Sequence, residues 1–210
     1  MDNNVSLDLM EFIEKHILPR YAEFDKAHNM EHVTSVVRRS LDIARKLGAD
    51  LDMAYTVAAY HDLGLSGPRA VHHITSGKIL IADARLKRWF SQDKLKIMKE
   101  AVEDHRASAS HAPRSIYGKI VAEADRDLEP ERVFRRTVQF GLSNYAELDR
   151  EGQWKRFCQH MENKYSHNGY IKLWIPGSPN EANLKRIRDL IEDKTRLKEV
   201  FDRIYDEESR

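Results

Sequence analysis

Apolar residues recur along this chain at the three- and four-residue spacing of a helix face, nearly from end to end. From Leu7 to Phe24 they fall at Leu9, Phe12, Ile13, Ile17, Tyr21 and Phe24, with Pro19 as a break or a first-turn residue. His32 to Leu47 predicts a second helix that turns Val33, Val36, Val37, Leu41, Ala44 and Leu47 inward and ends at Gly48. Asp50 suits the N-cap of a third, which runs to Leu63 and stops at Gly64. Ser66-Gly67-Pro68 marks a loop, and Ser108 to Arg114 a second one. Further helices are predicted over His72 to Ala84, over Gln92 to about Ala107 with Ser91 as cap, and over Ser115 to Leu128. Two more follow, over Pro130 to Phe140 and Ala146 to Lys164. Asn168 to Ser178 holds no alternating strand pair and predicts a partly buried loop or an isolated extended piece. Asn180 to Ser209 predicts one long charged helix with Leu184, Ile187, Leu190, Ile191, Leu197, Val200, Phe201 and Ile204 on one face. No repeat, low-complexity stretch or composition shift divides the chain, so the expectation is all-α, one domain over residues 1–210.

Composition narrows the function classes. The chain has 210 residues, 41% hydrophobic and 33% charged, enough for one well-buried domain. A formal net charge of +1 gives no strong nucleic-acid signal and none for a membrane surface. No apolar run approaches the roughly 20 residues of a membrane span. The single Cys158 excludes an intrachain disulfide framework and fits a reducing compartment. Met1 to Ser6 shows no positive region followed by an apolar stretch, so no secretory signal is expected. A cytoplasmic protein is the expectation.

Against that background His61-Asp62 stands out, closing the apolar run Ala54 to Tyr60. Polar groups at the end of a buried segment cost free energy unless they are paired or bind a metal. His32 lies upstream on an amphipathic segment, and Asp125 downstream in Ile120-Val121-Ala122-Glu123-Ala124-Asp125. This mixed nitrogen and oxygen set suits a divalent ion such as Zn, Mn, Fe, Ni or Mg. Adjacent residues do not share a helix face, so both reach one ion only at a helix end. His32 and Asp125 must then come from other helices packed against that end. Spacing alone leaves plainer roles open: a satisfied core histidine, Asp62 as a cap, Asp125 paired with Arg126.

Three stretches together carry a resemblance. They are His28-Asn29-Met30-Glu31-His32-Val33, Ala58-Ala59-Tyr60-His61-Asp62-Leu63-Gly64, and Ala124-Asp125. In this order they resemble the HD superfamily of metal-dependent phosphohydrolases, over about Phe24 to Leu128, and most of all its small stand-alone members. The resemblance implies a helical HD-domain core over about 24–128 with a C-terminal helical extension over about 130–210. It also implies that His32, His61, Asp62 and Asp125 hold a divalent ion (Mn, Mg, Zn, Fe, Co or Ni). His73, opening His73-Ile74-Thr75-Ser76-Gly77-Lys78-Ile79-Leu80, and His105, in Glu103-Asp104-His105-Arg106-Ala107-Ser108, fit the fuller version of the family site. There they would bind a second metal or grip the substrate phosphate, and His72 is read as an exposed neighbour. Arg106 is the nearest candidate for a two-pronged phosphate contact, with Arg38, Arg39, Arg114 and Arg126 left open.

Two departures bear on activity. Leu63-Gly64-Leu65-Ser66 lacks the Glu-Asp pair that follows in alarmone hydrolases. Arg106-Ala107-Ser108-Ala109-Ser110 stands where cyclic-di-guanylate phosphodiesterases carry Gly-Tyr-Pro. The implied reaction is hydrolysis of a phosphate ester or anhydride of a small phosphorylated molecule, a nucleotide by family analogy, by metal-activated water. Asp62 would orient the water or take its proton, and His105 or His73 would protonate the leaving oxygen or hold the phosphate. Two alternatives stay open: a di-iron, oxygen-activating HD enzyme, and a non-catalytic nucleotide-binding module. Trp154, Tyr165, Tyr170 and Trp174 are read as packing residues, with base stacking as the alternative. The apolar stripe of the last helix is not a sustained heptad, so packing on its own domain is favoured over a homodimer contact.

Overall fold

The computed structural model describes residues 4–24, 29–109 and 111–209; His28 and Ser110, both quoted in the motifs above, lie outside them. Ten α-helices and no strand occur among the described residues, and none of these helices is long and apolar enough to cross a membrane. The sequence predicts one domain. The contacts group the chain into two compact units that divide after Asp125.

The first unit holds α1 (Leu7–His16), α2 (Met30–Leu47), α3 (Leu51–Tyr60), α4 (His72–Ala82), α5 (Gln92–Glu103) and α6 (Ile116–Asp125). Its centre is α3, with Leu51 and every residue from Met53 to Tyr60 buried. A helix that is apolar all round has no face to give to water, and α3 is packed by α1, α2, α4, α5 and α6. Each of its large apolar side chains contributes roughly 1.5–3 kcal/mol by burial. Its start is capped as expected: the Asp50 carboxylate accepts the Met53 N–H at 3.1 Å. Ser91 caps α5 through the Lys94 N–H. Gly48 ends α2 with φ 64°, a left-handed conformation that glycine adopts without strain.

Several boundaries differ from the pattern. The first helix stops at His16, and Pro19, which has no N–H to donate, enters a separate 3-10 turn over Leu18–Glu23. The second begins two residues early because the Asn29 side chain accepts the His32 N–H. The third and fifth end at Tyr60 and Glu103, short of Leu63 and Ala107, for a reason that belongs to the site below.

The second unit holds α7 (Pro130–Asn144), α8 (Arg150–Tyr165), α9 (Pro179–Glu192) and α10 (Lys194–Glu208). Within it α7 packs on α8, α9 and α10. The long helix expected over Asn180 to Ser209 is two helices, broken at Asp193 (φ −90°, ψ 84°). The Asp193 carboxylate accepts the Arg196 N–H and so caps α10. The break lets Leu184, Ile187 and Ile191 bury on one helix and Leu197, Phe201 and Ile204 on the next. The stretch 168–178 is irregular, with Ile171 and Ile175 buried. Trp154 stacks on Phe157 at 5.9 Å and meets Phe201 at 5.2 Å between ring centroids, which is a packing role.

Candidate metal centre

Six side chains reach one place in the first unit from the ends of its helices. His32 lies in the first turn of α2, His61 and Asp62 leave the end of α3, His72 opens α4, His105 follows α5, and Asp125 closes α6.

The end of α3 shows how two adjacent residues face one point. In a continuing helix the Asp62 N–H would bond to the Ala58 carbonyl. The His61 ring occupies that carbonyl instead, with Nδ1 2.7 Å from the oxygen. Asp62 then turns to φ −111°, ψ 7°, and its Oδ2 comes within 3.2 Å of His61 Nε2. The end of α5 uses the same device: His105 Nδ1 is 2.6 Å from the Val102 carbonyl, the acceptor the next helical N–H would need. His72 Nδ1 lies 2.8 Å from the Arg69 carbonyl.

A carbonyl oxygen only accepts, so these contacts assign the proton to Nδ1 in all three rings and turn the Nε2 lone pair inward. His61 Nε2 then faces His32 Nε2 at 3.3 Å, and His72 Nε2 faces His105 Nε2 at 3.1 Å. Two lone pairs at such distances repel unless a proton or a metal cation lies between them. Asp62 is shared between the pairs. Its Oδ2 is also 3.6 Å from His32 Nε2, while its Oδ1 is 3.3 Å from His105 Nε2 and 3.4 Å from His72 Nε2. Asp125 Oδ1 lies 3.2 Å from His32 Nε2 and 3.8 Å from His61 Nε2. Two sets with ligand spacing result: His32, His61 and Asp62, and Asp62, His72 and His105. The residues fit divalent metal ions: imidazole nitrogens, three of them on rings held at Nδ1 by backbone carbonyls, beside ionised carboxylates.

The carboxylates and imidazoles of the cluster shift one another. Burial alone would raise the Asp62 carboxyl, but His61, His105 and His32 hold it well below the usual range. Asp125 is likewise lowered, against its burial, by His32 and His61. Burial lowers His32, but its contacts with Asp125 and Asp62 prevail and raise it to about 9. In His105 the Asp62 carboxylate likewise outweighs burial, and the pKa is raised. Burial and the neighbouring His105 lower His72. His61, Asp62 and His105 are buried, whereas His32 and His72 are only partly covered, which leaves the centre accessible along that side.

Of the residues expected from the sequence, the structure brings His32, His61, Asp62, Asp125 and His105 together. His73 is placed apart from these five. No ligand atom of His73 joins either set; its Nδ1 is buried with no hydrogen-bond partner, and burial, with His105 and His72 nearby, lowers its pKa to about 4. His72, read as an exposed neighbour, supplies the ligand atom that completes the second set. The resemblance points to His73, whereas the turn before α4 sets which of the two adjacent histidines faces Asp62. The Gly64 N–H donates to Ser76 Oγ at 2.8 Å, and a Cβ on Gly64 would lie 2.1 Å from the His72 carbonyl oxygen. Only glycine lets α4 come this close to Asp62.

The arginines divide too. Arg106 donates from Nη1 to the Ala70 carbonyl at 2.6 Å, which places it beside the segment leading to His72. Arg114 is engaged elsewhere: Asp104 and Glu103 hold its guanidinium at 2.8 and 3.0 Å, clamping the loop after His105.

In this all-helical unit an aspartate shared between two histidine pairs could hold divalent metal ions. Residues 29–128 match the family model of the HD domain, and the chain carries a domain of the HD superfamily. That superfamily is one of metal-dependent phosphohydrolases. Neither a curated protein nor a solved structure matches the chain.

Proposed function

We propose that this protein is a two-metal phosphohydrolase that cleaves a phosphate ester or anhydride of a small molecule, a nucleotide in the first instance. The observation that carries the reading is the sharing of Asp62 between two pairs of facing imidazole nitrogens. His32, His61, Asp62 and Asp125 would hold one ion, and Asp62, His72 and His105 the second. Bound divalent ions bring the pKa of a water towards neutrality and offset charge on the phosphoryl group.

The chain's own residues set the rest. Asp62 stays ionised, so it serves as a charged ligand and orients water rather than taking its proton. His105 commits Nδ1 to Val102 and turns Nε2 towards Asp62 and His72, which favours a ligand's role over that of a general acid. The charge of Arg106 acts on His72 and His73, so it offers a phosphate oxygen a partner on that side. A nitrogen-rich pair of sets with a shared carboxylate also fits two irons, so the oxygen-activating reading stands as the second.

The test is metal content by elemental analysis, then phosphate and pyrophosphate release from a nucleotide panel with Mn, Mg, Co and Ni. Two ions per chain and release are expected. Two irons, an oxygen-dependent spectral change and no release would move the assignment to the second reading. Asp62→Ala should lose both ions and at least about 10³-fold in rate while keeping its helix content; a fully active variant would refute the proposal.

A further inference from the structure

Tyr21 lies on the 3-10 turn Leu18–Glu23, distant in sequence from His61-Asp62, and is fully buried. Its hydroxyl donates to the Ala59 carbonyl at 3.0 Å and accepts the Asp62 N–H at 3.2 Å. Its ring runs nearly parallel to the His61 imidazole, with centroids 6.3 Å apart and planes at 29°. A hydroxyl has one proton and two lone pairs, so it can serve both backbone groups at once.

These two groups are the ones the end of α3 leaves over. With Ala58 O engaged by His61 Nδ1, the Asp62 N–H has no helical partner. A buried N–H without a partner is costly, so the turn at Asp62 is stable only if something accepts from it.

We propose that Tyr21 is a positioning residue for the metal centre: its hydroxyl holds the non-helical turn at Asp62 that points His61 and Asp62 at the same ion. The proposal rests on the metal-binding reading above. Phenylalanine at this position would fill the same space and keep the ring against His61. It would leave the Asp62 N–H and the Ala59 carbonyl without their partner, and Asp62 would drift towards the helical path, away from His32 and His105.

The experiment is a titration of metal-free Tyr21→Phe with Mn²⁺ and Co²⁺, reading affinity by chelator competition and ligand geometry by the visible Co²⁺ spectrum. Tyr117→Phe is the control. Tyr117 accepts the Asp50 N–H at 3.2 Å, a comparable bond at the other end of the same helix. Tyr21→Phe should keep its helix content, bind about 10- to 100-fold more weakly, the usual cost of losing an outer support of a metal ligand, and shift the Co²⁺ spectrum. Tyr117→Phe should bind as the natural protein does. Unchanged affinity in Tyr21→Phe, or equal weakening in Tyr117→Phe, overturns the inference and leaves the metal reading standing. A natural protein that binds neither ion removes both. A second measurement does not depend on the variant's folding: the Asp62 amide should exchange slowly in the metal-free natural protein, and exchange at an unprotected rate overturns the inference.

Discussion

Gly64→Ala should remove the second metal ion and leave the first. The added Cβ would lie 2.1 Å from the His72 carbonyl oxygen, 2.7 Å from the Ser76 nitrogen and 2.9 Å from Ser76 Oγ. Two of these three are backbone atoms of α4, so no side-chain rotation relieves the clash. An ordinary contact begins at 3.4 Å, so the start of α4 must retreat by about 1.3 Å. Metal ligands tolerate about 0.2 Å. His72 is carried off with the helix, while His32, His61 and Asp125 sit on other elements. Overpacking of this kind costs about 1–3 kcal/mol, and the strained bond from Gly64 N–H to Ser76 Oγ adds about 1 kcal/mol. For a chain of this length the melting temperature should fall by roughly 4–16 °C. Calorimetric titration with Mn²⁺ is the assay: two equivalents for the natural protein, one for the variant. Gly67→Ala is the control, since its Cβ would meet only the Gly64 carbonyl at an ordinary 3.6 Å. Two equivalents bound by Gly64→Ala, with affinities within about threefold of the natural protein, would refute the argument.

His72→Ala should lose the second ion while His73→Ala keeps both; the reverse, by the same titration, would restore the order expected from the sequence. Arg114→Ala strips the fully buried Asp104 side chain of its charged partner and should cost about 3–5 kcal/mol in a urea melt. An unchanged midpoint would show that the clamp on the loop after His105 is dispensable. Burial, with Lys164 and Arg156 nearby, lowers His160 from 6.5 to about 4. Between those values the unfolded chain takes a proton that the folded one refuses. The stability from His160 is therefore complete above pH 6.5 and lost as the pH falls towards 4. The ring is partly exposed, which reduces the effect to about 1–2 kcal/mol. His160→Gln should flatten that part of the pH–stability curve, and equal slopes in urea melts from pH 7 to 4.5 would refute the assignment.

Helix content, the caps at Asp50 and Ser91, the stop at Gly48 and the burial of the apolar run in α3 were legible in the sequence, because each depends on residues within a turn or two of one another. His32, His61, Asp62 and Asp125 were legible for a different reason: polar residues at the edges of apolar runs need an explanation, and their order matches a family. Residues further apart needed the tertiary structure. The division into two units follows from which helix faces find partners, and the break at Asp193 carries no glycine or proline to announce it. The choice of His72 over His73 turns on how closely α4 approaches Gly64, a distance no pattern of hydrophobicity contains. The ability of adjacent residues to face one point turns on where the last backbone groups of α3 find their hydrogen bonds. A ring nitrogen of His61 takes one carbonyl, and the hydroxyl of Tyr21, some forty residues away in the chain, takes the remaining N–H. Local propensity set the helices, and competition for hydrogen bonds at their ends, resolved only when the unit packs, decided where the chemistry points.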